Sequence, residues 1–132
     1  IDLRHPDDLV LSEMCRMVEK EIEKIAMAGA LGFELEEIFY FAPIKFDSTC
    51  VNAVRAATAR LGYSSREMVT GAGHDACFVA NVAPTSMIFI PCIGGVSHNE
   101  EEDIEPEWAS AGGNVMLHAV LEKAGLLSGG GC

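Results

Sequence analysis

Basic residues are scarce in this chain. Nine lysines and arginines stand against twenty aspartates and glutamates, a formal net charge of −11. A nucleic-acid partner needs a basic stripe to displace counterions from phosphates, so that class of function is excluded. The same imbalance disfavours anionic membrane surfaces. No apolar run approaches the roughly 20 residues that a membrane span requires. No secretory leader is expected, since Ile1-Asp2-Leu3-Arg4 opens directly into polar sequence. The five cysteines, Cys15, Cys50, Cys77, Cys92 and Cys132, are odd in number and contain no C-x-x-C pair. That argues against a disulfide scaffold or a zinc knuckle and for reduced thiols in a cytoplasmic protein. No internal repeat is apparent.

Apolar residues, by contrast, are plentiful. They make up 49% of 132 residues, with a mean hydropathy of +0.22, so a core is expected in one domain or in pieces of two. The value is high for a soluble domain of this length. Some apolar faces are therefore expected to be covered by chain outside these residues.

Along the chain, residues 2–4 read as the end of a strand, and His5-Pro6 as a turn. Asp7 or Asp8 then caps a helix running to about Gly29, with Leu11, Met14, Val18, Ile22 and Ile25 on its apolar face. Gly29 and Gly32 are expected to end it. Residues 33–41 carry a β-rich pattern with Phe33, Leu35, Phe39 and Phe41 on one side, so the first 42 residues read β-α-β. After a boundary at 42–45, Asp47 or Ser48 caps a second helix with Val51, Val54, Thr58 and Leu61 inward, stopped by Gly62. Residues 74–80 look helical, and 87–90 form a short apolar run that suits a buried strand. Pro106 suits the first turn of a last helix, whose apolar stripe is Gly113, Met116, Leu117, Val120 and Ala124. Ser128-Gly129-Gly130-Gly131-Cys132 reads as a flexible tail.

Two loops carry the chemistry: Gly71-Ala72-Gly73-His74-Asp75-Ala76 and Gly95-Val96-Ser97-His98-Asn99. Each sets a histidine among small residues that admit close approach of a ligand. A neutral imidazole at His98 can reach a divalent metal, although a lone loop histidine is more often simply satisfied. His74 offers a donor for a carbonyl or an oxyanion, and Asp75 either orients it or caps the following helix. Gly73, without a Cβ, can bring its amide against a substrate carboxylate. His5 and His118 have weaker claims, His118 reading as a surface or boundary residue. Four consecutive acids at 100–103 cannot all face one ion, so they read as a solvated loop near a helix N-terminus.

These two motifs, with Pro84-Thr85-Ser86-Met87-Ile88-Phe89-Ile90-Pro91 between them, resemble the C-terminal part of the hydantoinase/carbamoylase amidases. Those amidases are a branch of the zinc-dependent M20 metallopeptidase-like superfamily. Asp2-Leu3-Arg4-His5-Pro6-Asp7 resembles the strand-turn-helix of that family's lid. The resemblance implies an α/β, two-domain zinc-hydrolase fold of which this chain holds two parts. Residues 1–42 would be half of an inserted β-α-β lid or dimerisation domain, 43–127 the closing part of the catalytic sheet domain, and 128–132 the tail. It implies a homodimer with two divalent ions, zinc or manganese, that hydrolyses the carbamoyl C–N bond of N-carbamoyl-L-amino acids or a related ureido acid. His98 matches the last metal ligand, and Gly73 and His74 match positions that contact the substrate and the developing oxyanion; His74 and Asp75 are the catalytic candidates. The remaining ligands and the general base would lie upstream, leaving this segment inactive alone. Cys92-Ile93-Gly94-Gly95 departs from the family's usual basic-acidic pair before the glycine. Allantoate or ureidoglycolate hydrolysis, an M20-type aminoacylase or dipeptidase, and a non-catalytic dimerisation module are the alternatives.

Overall fold

The computed structural model describes residues 1–126; the expected tail at 128–132 lies outside them. Among the described residues the helices are α1 (Asp8–Ala28), α2 (Ser48–Arg60), α3 (Asp75–Val79) and α4 (Pro106–Lys123), with a 3₁₀ turn at Ile93–Gly95. The chain divides into two compact units. One comprises Ile1–Lys45 with Val69–Gly71, the other Phe46–Met68 with Ala72–Cys132.

In the first unit α1 starts where an aspartate can satisfy its free amides. Asp7 is extended, and its carboxylate accepts from Leu9 N at 2.9 Å and Val10 N at 3.3 Å. His5 Nδ1 in turn accepts the Asp7 N–H at 3.0 Å, so His5 builds the cap turn. The far end differs from expectation. Gly29 stays helical at φ −88°, and Ala30 takes the left-handed conformation at φ +50°. Leu31 N then donates to Ala26 O at 2.9 Å, closing the helix as a glycine usually does. Gly29 serves space instead, since a Cβ there would lie 3.2 Å from the Leu31 side chain. Arg4, held by Asp2 through Nε at 3.0 Å, donates to the Gly71 carbonyl and ties the first residues to 69–71.

The expected strands at 2–4, 33–41 and 87–90 are extended chain without a ladder, and no paired strand occurs among the described residues. A strand is defined by a ladder in which a neighbouring strand takes its N–H and C=O groups, and no such ladder runs along these segments. Among the described residues the architecture is helical, and neither the β-α-β half-lid nor the catalytic sheet is visible as paired strands. Alternation is still visible at 39–41, where the Phe39 and Phe41 rings stack at 6.4 Å and 9°.

In the second unit Asp47 caps α2, accepting from Thr49 N at 2.9 Å and Cys50 N at 3.0 Å. The Thr49 hydroxyl, then the Cys50 amide, hold its carboxyl below the usual carboxylate range. Asp47 N donates to Thr85 O at 3.0 Å, which brings the extended 85–90 segment alongside. Past Leu61, Gly62 supplies φ +72° and the helix stops as expected.

Helices α2 and α4 pack on each other around Ala53, Ala57, Val115 and Ala119, flanked by Val54, Leu61 and Ile88. This corrects the expected α4 face and shifts that of α2, where Thr58 is buried and Val54 and Leu61 flank the core as expected but the centre falls on the alanines. On α2, Ala53, Ala57 and Thr58 are buried, and on α4 Met116, Leu117 and Val120 are more than half exposed. Close helix contact selects small side chains, whereas periodicity registers only polarity. Gly112 extends the same logic, because a Cβ there would lie 2.6 Å from Ile90 Cγ2. Arg60 pairs with Glu122 at 3.0 Å, and Lys123 Nζ donates to Thr49 Oγ1 at 2.7 Å.

Ala57 is fully buried in this seam. Ala57→Leu is expected to destabilise the protein by about 1–3 kcal/mol through overpacking. Ala59→Leu, on the exposed side of α2, should cost less than about 0.5 kcal/mol. Urea melts compare the two, and equal midpoints would refute the seam.

Candidate active site

The first loop ends in α3, and His74 itself makes that junction. Its backbone is extended at φ −148° and ψ 152°, and its Nδ1 accepts the Ala76 N–H at 3.1 Å. Imidazole Nδ1 sits as many bonds from Cα as asparagine Oδ1, so it replaces the usual capping oxygen. An accepting Nδ1 carries no proton, which puts the proton of the neutral ring on Nε2. Sequence reasoning gave Asp75 as cap or orienter. The structure places Asp75 in the first turn of α3, exposed, and gives the cap to His74. Gly73 is exposed, and a Cβ there would meet nothing within 4 Å. Packing among the described residues therefore does not demand a glycine at 73. Cys77 is buried as a small packing residue.

The second loop is tightly closed on itself. Gly94 and Gly95 take φ +64° and +71° in the 3₁₀ turn, and His98 follows at φ +55°. Histidine tolerates this left-handed region better than most side chains, at a cost of about 1–2 kcal/mol. Ile93 N donates to Asp103 O at 2.8 Å, joining the two ends of the loop. His98 N donates to Glu102 Oε2 at 2.8 Å, and the Cys92 thiol donates to Glu102 Oε1 at 3.5 Å. Burial, then the Glu102 carboxylate, pushes the Cys92 thiol above its ordinary range. Glu102 N returns to Asn99 O at 3.0 Å, and Glu101 N to Asn99 Oδ1 at 2.9 Å. The acidic run is exposed throughout, as expected, but the Glu102 carboxylate is engaged within the loop. Sequence reasoning missed Glu102, whose available signal was its place one tight turn beyond His98.

No hydrogen bond joins His74 to His98 among the described residues. Nor do those residues contain a group of three His, Cys, Asp or Glu side chains able to hold a metal. His98 fits as a single exposed ligand, but a catalytic metal needs about three from the protein. The described residues do not make a metal site by themselves. His118, expected at the surface or the boundary, is half-buried, and its Nδ1 is buried without a hydrogen-bond partner among the described residues. No helix among the described residues is long and apolar enough to cross a membrane.

Comparison with known proteins places this geometry. The N-carbamoyl-L-amino-acid amidohydrolase of Rhizobium meliloti is 50% identical over 124 residues, 94% of this chain and 30% of that protein. The allantoate amidohydrolase of Escherichia coli is 34% identical over 102 residues, 77% of this chain and 25% of that protein. A solved hydantoinase/carbamoylase family amidase from Burkholderia multivorans superposes with a TM-score of 0.89 at 55% identity, over 92% of this chain and 29% of its own. The chain thus spans no more than 30% of the length of these relatives. Residues 6–122 match the family described as Peptidase family M20/M25/M40, and the chain belongs to that family.

Proposed function

We propose that this chain is the C-terminal part of a metal-dependent amidohydrolase that cleaves the carbamoyl C–N bond of an N-carbamoyl-L-amino acid. The observation that carries the proposal is the state of His74. With Nδ1 engaged by the Ala76 amide, Nε2–H is a fixed donor suited to an oxygen that gains charge as the carbamoyl carbon becomes tetrahedral. Gly73, open on its Cβ side, suits close approach of a substrate carboxylate to backbone. Asp75 lies beside His74 in this reading, a neighbouring acid at the catalytic loop. His98 is the metal ligand that this chain contributes; two divalent ions, zinc or manganese, belong to the complete enzyme. Residues 1–42 would be half of a β-α-β lid through which two copies pair, and 43–127 the end of a catalytic α/β domain. Exposed Phe33, Leu35 and Ile38 are consistent with that role. A reducing, cytoplasmic setting belongs to the same proposal, supported by the free thiols of Cys15, Cys50, Cys77 and Cys92.

Ammonia release by the full-length gene product tests the substrate. N-carbamoyl-L-amino acids are expected to exceed allantoate and ureidoglycolate by at least about tenfold in kcat/KM. Preference for allantoate or ureidoglycolate would move the substrate within the ureido acids. Turnover of N-acyl amino acids or dipeptides alone would replace the proposal with an aminoacylase or peptidase.

A further inference from the structure

We propose that Glu102 is a positioning residue that sets the direction of the His98 imidazole through the His98 backbone. The inference rests on the reading of His98 as a metal ligand. φ and ψ fix where the Cα–Cβ bond points relative to the flanking chain, and so the region that the imidazole can reach through its rotamers. At φ +55° His98 is held where few non-glycine residues settle unaided. No hydrogen-bond contact to its ring occurs among the described residues. Metal-bound histidines ordinarily have such a contact. What restrains His98 here is its own N–H, given to Glu102 Oε2 at 2.8 Å. Glu102 is itself anchored, its other oxygen by the Cys92 thiol at 3.5 Å and its backbone N–H by Asn99 O at 3.0 Å. The Ile93 N to Asp103 O bond at 2.8 Å closes the base of the loop. Both carboxylate oxygens are spent inside the loop, which separates Glu102 from a ligand role of its own.

The test uses the full-length protein. Metal affinity is measured with zinc alone, together with hydrogen exchange at the His98 amide and the melting temperature of the metal-free protein. Glu102→Ala is expected to weaken zinc binding by about 10–100-fold, the usual effect of removing a group that orients a ligand. His98 amide exchange should quicken by at least about tenfold with little change in melting. Glu102→Gln keeps an oxygen for the His98 N–H and should stay within about threefold of the parent. Combining Glu102→Ala with His98→Ala should lose no more affinity than His98→Ala alone, since one acts through the other. Should Glu102→Ala not fold, Glu102→Asp carries the test, keeping the charge but shortening the reach. Full zinc binding in Glu102→Ala, with His98→Ala impaired, would overturn the proposal and leave the ligand reading standing. Full zinc binding in His98→Ala would overturn the ligand reading and this proposal with it. A double variant weaker than His98→Ala would make Glu102 an independent ligand and refute positioning.

Discussion

Replacing His98 with asparagine in the full-length enzyme is expected to lower kcat/KM by about 10³-fold or more, together with its metal content. A hydrolytic metal supplies several kcal/mol of stabilisation to the transition state, and about 1.36 kcal/mol corresponds to a factor of ten. Asparagine is the informative substitution. Position 98 lies at φ +55°, a conformation that asparagine accepts readily, so the loop is preserved while the imidazole is removed. Alanine removes the same ring but adds backbone strain. Equal losses of activity in both variants, with a drop in melting temperature confined to alanine, would identify the ring as the functional part. Activity within tenfold of the parent in His98→Asn, metal retained, would end the assignment of His98 as a ligand.

His74 permits a similar separation. His74→Asn should lower kcat by about 10²–10³-fold with KM little changed, the cost of losing one donor to a developing oxyanion. The fold should not register it. Asparagine Oδ1 replaces Nδ1 as acceptor for the Ala76 amide, and asparagine is among the best N-caps. His74→Ala should lose the same activity and, in addition, about 1 kcal/mol of stability with the cap. The measurements are steady-state kinetics and a urea melt on the same samples. If His74→Asn keeps kcat within a fewfold of the parent, His74 is a cap and the chemistry lies elsewhere.

Where the fold was legible, the signal was local. Asp7, Asp47 and Pro106 mark the starts of α1, α2 and α4, because a cap needs only a side chain and the next two or three amides. Two-body features were less legible. The extended stretches at 33–41 and 87–90 have strand composition, yet a ladder requires partners the pattern cannot supply. The α2–α4 contact centres on Ala53, Ala57, Val115 and Ala119 and leaves Met116, Leu117 and Val120 exposed, because closeness of approach counted for more than hydrophobicity. At the site, glycine–histidine spacing singled out both loops. Two roles stayed hidden. His74 caps its helix with a nitrogen where propensity looks for oxygen. Glu102 is indistinguishable from Glu100 and Glu101 in a row of acids until the chain turns and gives it the His98 amide. The matched family explains the loops' likeness to those of larger hydrolases; the assays above decide the chemistry of His74, Asp75, Gly73 and His98.

The α2–α4 seam also dictates an order of events during synthesis. Arg60 and Glu122, which meet across it, are 62 residues apart in the chain. At the ribosome's pace of roughly 5–20 residues per second, α2 therefore waits about 3–12 s for its partner to be made. Closing so long a loop raises the entropic cost only logarithmically, so the delay is paid in time more than in stability. During that wait α2 offers Ala53 and Ala57 to the surroundings, side chains too small to hold a stray apolar segment firmly. The small residues that let two helices approach closely at the end also keep the first of them from binding the wrong neighbour at the beginning.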